Sequence, residues 1–395
     1  MEIKSIVTLN KGREHSVYNK HPWIFSGAIK NVLPKAESGD LIQINDFKNN
    51  PVAYGLYNES SIAVKIISFN TELNPEVHLK NKLFNALSNK QELFPNSKIT
   101  NSYRLIHGEA DGFPGLIIDF YNYHIVIQEQ HSGWKNFREF FVSQLTEFYG
   151  EKLQTIYLKK MNYQLNEEST EKGEHLLGTE CETTILENGL KFKVNWAQGQ
   201  KTGFFLDQRN NRNLLKNLSE NKKVLNTFCY TGGFNVYAQS GGADEVTGID
   251  ISSDAVKMSE INQQLNFDEN KYTAINSDVM NYLQTIEADY FDIIILDPPA
   301  FAKSKHHLKN AYRAYKRINQ TAMEKVKENG LIFTFSCSQA MDKQLFKKMI
   351  FESAISAGKN VSIMYHLNQS EDHPVNIYFP EGDYLKGFVL QIKAF

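Results

Sequence analysis

Cys337 stands in Ser336-Cys337-Ser338, just where the apolar run beginning at Leu331 ends. Forty residues earlier another apolar run, Ile293 to Leu296, ends in Asp297-Pro298-Pro299-Ala300-Phe301. A thiol and a carboxyl group at two strand ends are a nucleophile and a proton-bearing partner. A free thiol ionises near pH ~8.5 and only the thiolate attacks, so a working site should favour that form. Two successive prolines fix φ and remove amide donors, so Asp297 and the ring of Phe301 sit on a stiff loop that can face a flat base. Cys181 and Cys229 read as small packing residues. Three widely spaced cysteines suggest neither a disulfide framework nor a metal site, and His306-His307 has no acidic or thiol partner nearby.

The elements that must position this pair are four short strands, KVLNTF, EVTGID, FDIIILD and GLIFTFS, with helical sequence between them. That alternation predicts βα units and a parallel sheet, in which ligands sit at the carboxyl ends of the strands. The first strand runs into NTFCYTGGFNVYA, where Thr231-Gly232-Gly233 lets the backbone turn tightly into a helix. The second ends in Asp250, 18 residues after Gly232, about where an acidic residue grips ribose hydroxyls. Both features suit a nicotinamide dinucleotide as well as S-adenosylmethionine. Asp-Pro-Pro decides between them, because it resembles the fourth motif of class I methyltransferases that act on nucleobases. In INSDVMNYL, Asp278 stands where that class contacts the adenine of the donor.

In that setting the thiol has a specific use. C5 of a pyrimidine is a poor nucleophile. Thiolate attack on C6 forms a covalent adduct and makes C5 enamine-like, able to take a methyl group. Asp297 suits the N3/N4 edge of the ring, its protonated form helping during attack.

The motifs KHPWIFSGAI, GEADGFPGLIIDFYNY, GQKTGFFLDQRNNR, VLNTFCYTGGFNVYA, LDPPAFAKSK, TFSCSQAM and DHPVNIYFPEGDYLKGF occur in this order. Together they resemble the bacterial 23S ribosomal RNA cytosine-C5 methyltransferases that carry an N-terminal PUA domain, over nearly the whole chain. The resemblance implies methyl transfer from S-adenosyl-L-methionine to C5 of a cytosine, with Cys337 as nucleophile beside Asp297. It implies that Asp207, Gln208 and Arg209 close over the cofactor. The remaining cofactor contacts fall on Phe228, Tyr230, Thr231, Gly232, Gly233, Asp250, Ile251, Asp278, Asp297 and Pro298. RNA contacts fall on Pro299, Phe301, Lys303, Lys305, Arg313 and Lys316. Asp-Pro-Pro-Ala has no second cysteine, which the better-known RNA cytosine-C5 enzymes use for product release, so the base for the C5 proton is unassigned. YLKKMNYQLNEES carries lysines where arginine is expected.

The 395 residues, 41% hydrophobic and 22% charged, fit two or three globular domains. The expected architecture is α/β. A small PUA-like β-barrel over residues 1–70 precedes an α+β middle domain over 71–190 and a Rossmann-like class I methyltransferase domain over 191–395. In the middle domain a helix from Asn74 should place Val77, Leu83, Phe84 and Leu87 on one side, PGLIIDFYNYHIVIQEQ reads as a hairpin, and NEESTEKGEH as a loop. TGFFLDQR reads as a strand pair entering a helix. No signal-peptide pattern or apolar span is present, which predicts a cytoplasmic protein without a membrane partner.

Net charge is −2, so no global field favours RNA, but Lys303 to Arg317 carries six basic residues and no acid. That run lies beside the expected pocket and suits phosphates flanking a flipped or unpaired base. Tyr312 and Tyr315 suit either stacking on bases or the core. Residues 1–70 hold eight Lys/Arg against six Asp/Glu. The partner expected is 23S ribosomal RNA or an assembling large subunit; the sequence leaves the oligomeric state open, a homodimer included. Competing readings are a methyltransferase for a base nitrogen or for uracil C5, a nicotinamide oxidoreductase, and a non-catalytic ribosome-binding factor.

Overall fold

The structure, a computed structural model, describes all residues except 1, 73, 163–166, 169–171, 270 and 302–304, with backbone alone at 161, 162, 167, 168 and 305. The chain forms two compact units: Met1–Leu186 with Val194–Leu206 and Glu371–Gly382, and Glu187–Lys193 with Asp207–Ser370 and Asp383–Phe395.

The first unit contains a six-stranded sheet built from Ser5–Leu9, Trp23–Phe25, Ile29–Leu33, Leu41–Asn45, Pro51–Tyr57 and Ile62–Ser68. A second, five-stranded sheet includes the hairpin Leu116–Tyr121/His124–Glu129. Its turn residues Asn122 and Tyr123 both have positive φ, 48° and 65°, as a two-residue hairpin with right-handed strand twist requires. The helix Pro75–Leu93 starts where Asn74 accepts the Glu76 amide, with Pro75 in the first turn. It buries Leu79, Leu83, Ala86 and Leu87, whereas Val77 and Phe84 are exposed. The apolar face follows the three- and four-residue steps from Leu79, which the sequence reading had rotated toward Val77. Within the stretch 166–175 expected as a loop, residues 166 and 169–171 lie outside the described residues, whereas Glu167–Glu168 and Glu174–Leu177 are strands. Lys159 is buried and donates to the carbonyls of Trp196 and Gly199, so it secures a loop. Residues 201–205 form turns rather than strands, because Gly203 sits at φ +107° and Thr202 is tied to Asp119 at 2.5 Å.

The second unit carries the site, and its elements are labelled here in chain order. The strands are β1 (Lys223–Thr227), β2 (Glu245–Asp250), β3 (Tyr272–Asn276), β4 (Ile293–Leu296), β5 (Leu331–Ser336), β6 (Asn360–Leu367) and β7 (Lys386–Lys393). The helices are α1 (Arg209–Leu218), α2 (Gly233–Ser240), α3 (Ser253–Gln264), α4 (Val279–Thr285), α5 (Leu308–Lys325) and α6 (Lys343–Ala357). Sheet order is β3-β2-β1-β4-β5-β7-β6, parallel except that β7 runs antiparallel to both neighbours. Strand β4 is wholly buried: Ile294 and Leu296 pack toward α5 and α6, Ile293 and Ile295 toward α1 and α2. Each such side chain contributes roughly 1.5–3 kcal/mol of burial, and covering both faces requires the continuous apolar run seen in the sequence. The helices start where capping residues follow the strands, Ser252 on α3, Asp278 on α4 and Asp342 on α6. Strand carboxyl ends and helix starts therefore converge along one edge.

Candidate functional site

At the β1–α2 turn, Phe228, Tyr230 and Gly232 have φ of 57°, 47° and 79°. Left-handed backbone at two aromatic residues is rare and stores strain, a common mark of functional loops. Gly232 also has no room for a side chain, since a Cβ would stand 2.8 Å from Ser259 Cβ. The Asp250 carboxylate accepts the amides of Tyr230 and Ser252, each at 2.9 Å, and so pins this turn to the end of β2. Ile251 beside it is 75% exposed. Asp278 is exposed and caps α4 by accepting the Asn281 amide at 2.9 Å.

The target end of the edge is built differently. Leu296 of β4 pairs with Thr334 of β5, so Asp297 leaves the sheet beside the residues that lead to Cys337. The Gln208 amide donates to Asp297 Oδ2 at 3.0 Å, and Gln208 Oε1 in turn accepts from Asn211 at 2.6 Å. The Tyr384 hydroxyl donates to Asp207 Oδ2 at 2.6 Å. Asp207 Oδ1 is buried and accepts no hydrogen bond among the described residues. An acceptor left open in this way fits a ligand that brings a donor, such as the ammonium or hydroxyl groups of an amino acid nucleoside. Pro298 is buried, Pro299 is exposed, and Phe301 packs on Tyr315 with ring centroids 4.7 Å apart.

Burial, then the neighbouring Asp207 charge, raises the Asp297 carboxyl to about 7, against the lowering effect of the Gln208 hydrogen bond and Arg212. Burial, then Asp297 and Asp207, pushes the Cys337 thiol up to about 11, with Lys386 acting in the opposite sense. The sequence reading expected a site favouring thiolate; in the free protein the two carboxylates and desolvation hold the proton on sulfur. Cys229 is buried and its thiol is pushed up to about 12, as a packing residue would be. Cys181 is partly exposed, 3.7 Å from His175 Nε2, so it is not a core residue.

The structure thus gathers Asp207, Gln208, Asp297 and Cys337, and separately Phe228, Tyr230, Gly232 and Asp250. Arg209 is turned inward: it is 2% exposed and 3.3 Å from Glu187, whose carboxylate also accepts Arg212 at 2.8 and 2.7 Å. Arg313 is exposed on α5, and Lys316 lies 3.9 Å from Glu352. Both line an open groove of about 620 Å³ with Lys309 and Tyr312. Tyr315 is fully buried and belongs to the core. Lys303 and the Lys305 side chain lie outside the described residues. Sequence reasoning gave no role to Tyr384 or Lys386, because their neighbours in space are far away in the chain. Among the described residues no group of His, Cys, Asp and Glu is placed to hold a metal ion, and no helix is long and apolar enough to cross a membrane.

Comparison with known proteins places these features. Residues 157–366 match the S-adenosylmethionine-dependent methyltransferase family and residues 7–69 a PUA-like domain. Two relatives, each called ribosomal RNA large subunit methyltransferase I, come from Escherichia coli (strain SMS-3-5 / SECEC) and Shigella dysenteriae serotype 1. Both are 36% identical over 98% of this chain, covering 99% and 98% of their own lengths. A methyltransferase solved in complex with S-adenosylhomocysteine superposes with a TM-score of 0.83 at 26% identity, over 99% of this chain and 100% of that one. A methyltransferase from Streptococcus mutans gives 0.82 at 25% identity, over 99% and 100%.

Proposed function

The chain belongs to the S-adenosylmethionine-dependent methyltransferase family, and from that premise we propose that it methylates C5 of a cytosine in large-subunit ribosomal RNA through a covalent bond to Cys337. The observation that carries this reading is the placement of a thiol and a carboxyl raised to about 7 at the ends of adjacent strands β5 and β4. An enzyme for a base nitrogen has use for the carboxyl but none for the thiol.

When bound, S-adenosylmethionine supplies a methyl group on a sulfonium, the electrophile that an activated C5 requires. The strained turn at Phe228–Gly232 and the fixed Asp250 carboxylate would hold its nucleoside end, and the open Asp207 oxygen would accept from its amino acid end. Cys337, its Sγ–H proton lost to water, bonds through Sγ to C6 of the target ring, and protonated Asp297 gives its proton to N3 as the ring electrons shift to make C5 enamine-like. Once C5 carries the methyl group, water takes the C5 proton, the C6–Sγ bond breaks to release the thiolate, and Asp297 recovers its proton from N3. Gln208 aims Asp297 throughout by its bond to Oδ2.

A base in a duplex hides C6, so the target must be unpaired or flipped. The groove with Lys309, Arg313 and Lys316 suits the flanking phosphates, and the PUA-like domain suits a second stretch of RNA. The name of the relatives supports large-subunit ribosomal RNA as the substrate, which we take to be 23S RNA, free or in an assembling subunit, in the cytoplasm. The test is nucleoside mass spectrometry of unmodified large-subunit RNA after incubation with S-adenosylmethionine. We expect 5-methylcytidine with the wild type and none with Cys337→Ala. The same methylated nucleoside from both proteins would overturn the covalent reading in favour of a base nitrogen.

A further inference from the structure

Among the described residues, one buried cation beside the thiol pairs with no carboxylate. Lys386 opens β7 opposite Ser336 of β5, is 4% exposed, and donates from Nζ to the Ser338 carbonyl at 2.7 Å. The residues on either side of Cys337 therefore hold the ammonium against this strand tip. Among the described residues this is its only hydrogen bond, and no carboxylate forms an ion pair with it. Nearby acids are committed elsewhere: Asp383, before β7, pairs with Lys343 at 2.7 Å, and Asp342 caps α6 through the Leu345 amide at 2.7 Å. Asp207 receives the Tyr384 hydroxyl and Asp297 the Gln208 amide. A buried ammonium with one neutral acceptor is costly unless an anion joins it.

We propose that Lys386 is a positioning residue that favours ionisation of Cys337 at the end of β5, against burial and two carboxylates that disfavour it. This rests on the reading of Cys337 as nucleophile. On ionisation the Sγ–H bond breaks, the electron pair stays on sulfur and the proton goes to water, the positive charge of Lys386 favouring the step. The charged and titratable groups facing the thiol are Asp297 from β4, Asp207 from the segment before α1, Tyr315 from α5 and Lys386 from β7; Asp342 and Lys343 on α6 and Asp383 before β7 act on Lys386. Burial and both carboxylates oppose the thiolate and Lys386 favours it, so loss of the lysine's charge should leave less thiolate at a given pH. Burial lowers the lysine's own affinity for a proton, and a thiolate beside it restores that affinity.

The experiment is the pH dependence of iodoacetamide alkylation, read at the Cys337 peptide by mass spectrometry so that Cys181 and Cys229 do not contribute. Alkylation forms an S–C bond and releases iodide, and its rate follows the thiolate fraction. In full-length Lys386→Met the midpoint should move up by at least about one pH unit, a tenfold slower reaction at pH 8. Lys386→Arg should bring the rate back to within about threefold of wild type, since it restores the charge. A stabilising thermal shift with S-adenosylhomocysteine checks that each variant is folded. If Lys386→Met does not fold, Lys386→Gln, which keeps a donor for the Ser338 carbonyl without the charge, decides the same question. An unchanged midpoint in the folded uncharged variant overturns the proposal. The outcome is separate from that of Cys337→Ala: if that variant still methylates RNA while Lys386→Met shifts the midpoint, the role of the lysine stands and the nucleophile reading falls.

Discussion

The two ends of the β3-to-β5 edge are made of the same materials, strand tips, acids and turns, yet they are held in opposite ways. At the donor end the spans are shorter: Asp250 reaches back 20 residues to the Tyr230 amide and forward two to Ser252, and Asn262 reaches the Thr231 carbonyl across 31. At the target end Gln208 reaches Asp297 across 89 residues, Tyr384 reaches Asp207 across 177, and Lys386 reaches Ser338 across 48. Backbone amides fix shape at the first end, while side chains from remote segments fix ionisation at the second. Burial displaces acid strength at both ends, Cys229 to about 12 at the first, while at the second it acts together with like charges brought in from remote segments. Asp297 near 7 and Cys337 near 11 are the result.

Substitutions that remove one oxygen charge at each end separate the two roles. Asp297→Asn takes away the proton donor for N3, and kcat should fall about 10²- to 10⁴-fold. The KM for S-adenosylmethionine should stay within about threefold of wild type, because the amide can still accept from Gln208. Asp250→Asn should do the reverse. A carboxamide oxygen serves the Tyr230 and Ser252 amides less well, and a lost charge-assisted bond of about 1.5 kcal/mol raises that KM roughly tenfold. Steady-state kinetics with both variants checks this. If Asp250→Asn lowered kcat as far as Asp297→Asn, the ends would not be separable and the local construction would be part of the chemistry.

The same contrast sets what was legible in the sequence. Strand order, the glycine turn, Asp250 and Asp-Pro-Pro can be read because their chemistry lies within a few residues of one another. The resemblance over GDYLKGF marked the segment, but nothing in one dimension shows that antiparallel β7 lays Lys386 beside Ser336. Arg209 was expected over the cofactor, and its burial against Glu187 depends on a residue that no local pattern connects to it. The expectation of a thiolate failed because burial first, and then Asp297 and Asp207, disfavour it, and the burial of this strand tip depends on segments distant in the chain. In the first unit, Val77 and Phe84 have the right residue types for a core face but the wrong angular position, which only the packing partner decides.

The smallest expected effect tests the target end without any substrate. The Asp297 carboxyl has a folded-state value of about 7, raised from its ordinary 3.8 by burial first and by Asp207 second. Between those two values the folded chain keeps a proton that the unfolded chain has lost, so this group's contribution to stability declines as pH rises from about 4 to about 7 and is flat above. Asp297 is only partly buried, and solvent screening reduces the loss below what the full displacement implies. Asp297→Asn has no proton to lose and keeps the Gln208 bond. Its melting temperature relative to wild type should therefore rise between pH 4.5 and pH 7.5, by about 2 °C, and then hold level. Asp250→Asn, measured in parallel, should be destabilised, since the amides it serves are left poorly satisfied. Differential scanning calorimetry at four or five pH values is enough. A melting-temperature gap for Asp297→Asn that does not change with pH would mean that this carboxyl ionises as a solvent-exposed acid does, and the distinction between a backbone-held donor end and a charge-tuned target end would lose its physical basis.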